Sequence, residues 1–224
     1  MNRLRPAKSR IERDRVKRAG PDVPSISARA YIPRMTETLK VAIFADESCL
    51  GNQFQGRARP GGAAGLMEHW TGDRCVRKDY WISEPDTTNN RMALQSAIVG
   101  LDLLRKGPRG VRFVSDSKYL VNGMKDWVKR WKARGWTRKG GKIENLELWK
   151  ELDRVRERHH VEWKWVRGHD EHPQNEYADH LATTAATEGT SSDGLVESGF
   201  EAWLEDQRDR RGLYCDFLEF APPG

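Results

Sequence analysis

From Leu39 to Glu188, apolar residues recur in two rhythms, one of period two and one near 3.6. "LKVAIFAD" (39–46) is a β-rich run that closes on an acid. A Gly- and Pro-rich loop (51–62) separates it from "GAAGLMEHW" (62–70) and "CVRKDYWIS" (75–83), which predict two further strands of an antiparallel meander. "TTNN" (87–90) offers side chains that cap a helix start, and Met92, Ile98, Leu101 and Leu104 then share roughly one helical face. Gly107, Pro108 and Gly110 are expected to end that helix. "VRFVSD" (111–116) predicts a short strand, again closing on an acid. "SKYLVNGMKDWVKRWKARGW" (117–136) predicts helix, break, helix, and "IENLELWKELDRVRERH" (143–159) an amphipathic helix. An alternating strand, "VEWKWV" (161–166), a loop, "GHDEHPQ" (168–174), and a last helix, "NEYADHLATTAATE" (175–188), complete the pattern. The order β-β-β-α-β-α-α-α-β-α predicts an α/β fold, a mixed five-stranded sheet of three antiparallel strands and then parallel strands, with helices on both faces.

Residues 1–38 lack an apolar period and read as a basic, disordered arm with a transient charged helix over 9–19. The expected division is arm (1–38), folded domain (39–187) and acidic extension (188–224). Charge supports it: residues 1–40 carry eleven Lys/Arg against four Asp/Glu, and residues 187–224 three against nine, within a net charge of +6. Basic arms often meet nucleic acid, although a solubilising tail is the plainer reading of either end. Apolar residues in the extension, among them Phe200, Trp203, Leu204 and Tyr214, suit it to fold back on the core or to bind a partner. No apolar run of about 18 residues is present, which excludes a spanning helix in this sequence. A charged start without an apolar segment behind it argues against a secretory leader. Cys49, Cys75 and Cys215 are odd in number and widely spaced, which fits free thiols in a reducing cytoplasm and excludes a zinc pattern.

Three acids stand on otherwise apolar elements: Asp46 in "FADES", Asp116 in "VSDSKY" and Asp179 in "NEYADHLA". A single acid at a strand end is usually a turn or cap residue. Three converging above one sheet repel one another unless cations neutralise them, and hard oxygen ligands suit Mg²⁺ or Mn²⁺.

The stretches "DESCLGN" (46–52), "PGGAAG" (60–65), "TTNNRMAL" (87–94), "SDSKYLVNGM" (115–124), "WVKRWKARGW" (127–136) and "VEWKWVRGHDEHPQNEYADHLA" (161–182) together resemble type 1 ribonuclease H over residues 39–187, in order and spacing. The resemblance implies endonucleolytic hydrolysis of the RNA strand of RNA/DNA hybrids by a two-metal mechanism, with two Mg²⁺ or Mn²⁺ ions per site, leaving 5′-phosphate and 3′-hydroxyl ends. It implies that Asp46, Asp116 and Asp179 are three of the four metal-binding carboxylates, and that His169 is the mobile histidine of the catalytic loop. His172, before Pro173, reads as structural. A monomer in the cytoplasm, with the hybrid as partner and no membrane, is the accompanying expectation.

Two positions depart from the family. Its fourth carboxylate, a Glu in the first helix, is here Ala93, and its "DGS" is here "DES", with Glu47 after the first Asp. Ala93 is compatible with an introduced inactivating change, with a natural hybrid-binding module that has lost activity, or with a carboxylate that has moved to Glu47. The last covers both departures with one cause. Its difficulty is geometric: side chains alternate along a strand, so Glu47 faces away from Asp46 unless the strand has ended or bulges there.

For substrate, the resemblance implies contacts from Asn52, Thr88, Asn89, Gln95 and Lys118, with Asn suited to a 2′-hydroxyl because it both donates and accepts. Residues 124–142 carry eight Lys/Arg against one Asp, with Trp127, Trp131 and Trp136 interleaved. This resembles the basic protrusion that grips the DNA strand, so Trp127, Lys129, Lys132 and Trp136 are assigned to it. Trp131 and Trp149 are expected to be mostly buried.

Overall fold

The computed structural model describes residues 40–51, 59–72, 74–105, 109–168 and 172–217. The arm, Asn52, Gly107, Pro108 and His169 therefore lie outside the described residues. Strands β1 (Val41–Cys49), β2 (Gly61–Thr71) and β3 (Arg74–Glu84) form the antiparallel meander. Helix α1 (Asn89–Asp102) follows, capped by Thr88, whose hydroxyl accepts from the Arg91 amide at 3.4 Å. It ends at Leu103, before the glycines expected to stop it. Strands β4 (Gly110–Ser115) and β5 (His160–Trp165) then join in parallel, giving the order β5-β4-β1-β2-β3.

The "helix, break, helix" is α2 (Lys118–Asn122), one π-helical turn (Gly123–Trp127) and α3 (Val128–Lys132). Helices α4 (Leu146–Arg156) and α5 (Pro173–Glu188) complete the expected set, with His172 at the N-cap of α5. Helices α1 to α4 cover one face of the sheet, where Ile43, Ala45, Leu94, Phe113 and Trp149 share a core. Helix α5 covers the other. It approaches so closely that a Cβ on Gly62 of β2 would lie 2.1 Å from the Ala182 carbonyl oxygen, so glycine sets that spacing.

One strand exceeds the five expected. Strand β6 (Val196–Glu197), from the acidic extension, pairs antiparallel with β3 and closes the sheet as β5-β4-β1-β2-β3-β6. A two-residue strand has no periodicity to read, so pattern alone misses it. Helix α6 (Phe200–Arg211) then packs over α5 through Phe200 and Leu204, both fully buried beside Leu66 and Tyr177. Buried polar groups fix this junction. Asp79 accepts from the Tyr177 hydroxyl at 2.6 Å and from the Gly199 amide at 3.0 Å. Arg77 bridges Glu68 and Glu201 at 3.0 and 2.9 Å and lies over the Phe200 ring. Phe200→Ala is expected to cost about 3–5 kcal/mol, read as a lower urea midpoint, because the cavity opens under an already seated helix.

Candidate active site

The site forms where β4 is shorter than its neighbour. Strands β1 and β4 pair in parallel from Val41↔Val111 to Ala45↔Ser115. Strand β4 stops there, while β1 continues, paired with β2, to Cys49↔Gly61. Asp46 and Glu47 therefore lie along an open edge, and Asp116, the first residue past β4, faces it. Oxygens of Asp46, Glu47 and Asp116 all lie within 4.8 Å of one another, the one such acidic group found among the described residues.

Alternation holds, yet the two neighbours converge. Phe44 packs toward α5, and Asp46 follows it, accepting from Asn175 Nδ2 at 2.8 Å. Ile43 and Ala45 pack toward α1, and Glu47 follows them, its carboxylate bonded by the Ser117 side chain. Both side chains then bend over the same open edge. The strand neither ends nor bulges at Glu47, so the condition set by the sequence is corrected: an absent neighbour strand suffices. Ala93 is buried in the core on the same side as Glu47. Glu47 thus reaches the cluster from the side of the sheet on which α1 lacks a carboxylate.

Burial and mutual repulsion load this cluster. Burial, then the charges of Asp116 and Asp179, push Asp46 up to about 8, against the lowering effect of the Glu47 amide at 2.7 Å and of Asn175. Burial and the charges of Asp46 and Asp116 also hold Glu47 well above the ordinary carboxylate range. Crowded oxygens that resist ionisation in this way fit a cation, whose charge would relieve the repulsion. Asp46, Glu47 and Asp116 could hold such a cation, and the charge of Asp179 on α5 acts on both Asp46 and Glu47.

Asn175 escaped the sequence reading, although its place four residues before Asp179 put both on one face of α5. Gly168 escaped as well; a Cβ there would lie 2.4 Å from Asp116 Oδ2, so the chain after β5 passes directly over that carboxylate.

The substrate candidates are dispersed. Thr88 caps α1, Asn89 is exposed, and Gln95 donates to Glu84. Lys118 is exposed, with its ammonium 4.8 Å from the Trp165 ring centroid. Trp131 and Trp149 are buried, as expected, and Trp127 and Trp136 are half-buried. Trp127 borders a cleft of about 250 Å³ with Tyr119, Arg130 and Arg138. Lys129 is exposed, whereas Lys132 is tied to Asp153 at 2.7 Å and to Glu157, so its charge serves the α3–α4 contact. All three cysteines are free thiols. No helix among the described residues is long and apolar enough to cross a membrane.

A five-strand core in this order, helices on both faces, and acids on β1 beside the end of β4 and just past β4 define the ribonuclease H-like class. The family model for ribonuclease H matches residues 38–187. A ribonuclease H from Stutzerimonas stutzeri is 45% identical over 143 residues, 63% of this chain and 88% of the relative. Ribonuclease HI of Caulobacter vibrioides is 44% identical over 146 residues, 65% of this chain and 91% of the relative. Among solved structures, LC9-RNase H1, described as a type 1 RNase H with the type 2 active-site motif, aligns with TM-score 0.72 and 47% identity over 83% of this chain and 88% of that one. The chain belongs to the ribonuclease H family.

Proposed function

We propose that the chain hydrolyses the RNA strand of RNA/DNA hybrids with Mg²⁺ or Mn²⁺, working as a cytoplasmic monomer. The observation that carries this reading is Glu47, whose carboxylate joins those of Asp46 and Asp116 within 4.8 Å where the family's helix Glu is replaced by Ala93. A relative at 47% identity described as a type 1 enzyme with the type 2 active-site motif supports an altered acid set on this fold. Asp46, Glu47, Asp116 and Asp179 are assigned to two cations. When bound, these polarise the scissile phosphate and make water a nucleophile near neutral pH, giving 5′-phosphate and 3′-hydroxyl ends. Asn175 and Ser117 hold the carboxylates of Asp46 and Glu47 in place. His169 serves proton transfer or product release, and Asn52, Thr88, Asn89, Gln95, Lys118, Trp127, Lys129 and Trp136 contact the hybrid.

Cleavage of an end-labelled hybrid in Mg²⁺ and in Mn²⁺ tests the proposal, with Asp116→Asn as control. Internal cuts in the RNA strand that vanish in the control are expected. Tight binding without cleavage in either metal would leave a hybrid-binding module and overturn it.

A further inference from the structure

Trp165 is the last residue of β5, and core burial accounts for only part of it. Trp163, two residues earlier on the same face, is 6% exposed and packs on Phe113 with ring centroids 5.0 Å apart. Trp165 lies past the end of that core and is 39% exposed. An indole this size still gains from the surface it covers, but the open part of the ring gains nothing, and its specific contacts show what that part does. Among the described residues the ring makes two specific contacts, and they lead to different parts of the site. Its Nε1–H donates to the Asp116 backbone carbonyl at 2.8 Å. Its face carries the Lys118 ammonium at 4.8 Å from the ring centroid.

The first contact acts on the carboxylate cluster. Asp116 stands immediately after β4, where the strand pairing between Ser115 and Trp165 has just ended. The Val166 amide bonds the Ser115 carbonyl at 3.1 Å, and the Trp165 indole takes the next carbonyl along. With Gly168 pressed against the Asp116 carboxylate, the β5 end holds this residue from its backbone and from its side chain. The second contact acts on substrate charge. A lysine ammonium on a flexible stem is poorly placed alone, and a ring face gives it a preferred seat without neutralising it.

We infer that Trp165 is a positioning residue with two separable jobs: its N–H fixes the Asp116 backbone for cation binding, and its ring seats Lys118 for a backbone phosphate of the nucleic acid. This rests on the nuclease reading of the carboxylate cluster.

The two jobs separate by substitution. Trp165→Phe keeps a ring face and loses the donor; Trp165→Leu loses both. Outer contacts of this type typically govern metal affinity by about tenfold or more, so Trp165→Phe is expected to weaken Mn²⁺ binding by about tenfold in calorimetric titration. Its hybrid Kd, measured without added metal, should stay within about twofold of the parent, because the seat persists. Trp165→Leu should show the same Mn²⁺ loss, a hybrid Kd raised about threefold and a salt slope reduced by about one, matching Lys118→Ala. The double variant Trp165→Leu/Lys118→Ala should bind hybrid no worse than either single variant. Parental Mn²⁺ affinity in Trp165→Phe overturns the anchor, and multiplicative losses in the double variant overturn the seat. Thermal midpoints identify any variant that has merely loosened the fold. Both readouts are independent of cleavage. A parent chain that binds hybrid and Mn²⁺ without cutting sinks the nuclease reading, while these measurements still decide the role of Trp165.

Discussion

Glu47→Gln is expected to abolish hydrolysis of an RNA/DNA hybrid, lowering kcat on the order of a thousandfold, the scale on which a single group aimed at reacting charge acts. The substitution keeps the size of the side chain and removes one charge from a cluster whose three oxygens lie within 4.8 Å. Binding of the hybrid should change little, because Glu47 sits among the carboxylates and away from the exposed cations of the protrusion. The informative companion is Ala93→Glu. Alone, it adds a further acid on the α1 side of a site where burial and repulsion already hold Glu47 well above its ordinary range. Ala93 is 1% exposed, so the new side chain must also displace packed neighbours. Ala93→Glu is therefore expected to lower both stability and activity. In a Glu47→Gly background the same change should restore cleavage, since one carboxylate on that side of the sheet replaces another. A sign change between the two backgrounds, measured as kcat in Mg²⁺ and as urea midpoint, would establish the exchange. An inert Glu47→Gln would remove Glu47 from the reaction.

The fold was legible because the two apolar rhythms are strong where the elements are long. Strands β1 to β5 and helices α1, α4 and α5 stand where the pattern places them. What sequence withheld was non-local. Alternation tells which face Glu47 takes, yet whether Asp46 and Glu47 meet depends on where β4 stops, and nothing in β1 encodes that. Lys132 reads as one cation among eight in its segment, but Asp153 and Glu157, some twenty residues later, claim it. Trp165 reads as one more apolar residue in an alternating strand; only the neighbouring β4 end makes its indole N–H meaningful. Asn175 was the readable omission, being one helical turn from Asp179. The extension hides its role differently: Asp79 and Arg77 look like surface charges of β3 until Gly199, Phe200 and Glu201 cover them.

Asp46→Asn is expected to make the metal-free protein more stable while ending its activity, and the gain should depend on pH. The ordinary carboxylate value is 3.8, and Asp46 stands at about 8. A raised folded value means that the folded state keeps a proton which the unfolded chain has already released. Stability contributed by that proton is complete below pH 4 and declines as pH rises from about 4 to about 8, at up to about 1.4 kcal/mol per pH unit for one group. Above pH 8 the decline stops, because both states are ionised. Asparagine has no proton to lose, so its advantage over Asp46 should be small near pH 4, grow through this window and level off above it. Glu47 shifts in the same direction and shares the field of Asp46, so the two give up protons as a pair and Glu47→Gln should show part of the same gain. Urea unfolding in EDTA at pH 4, 6, 8 and 9 reads the curve directly. Adding Mg²⁺ at pH 8 should stabilise the parent, whose paired charges it neutralises, and do much less for Asp46→Asn. Equal stability of parent and variant across the pH range would mean that the cluster carries no repulsive strain. A cation would then have nothing to relieve there, and the chemical case for metal at this site would fall with it.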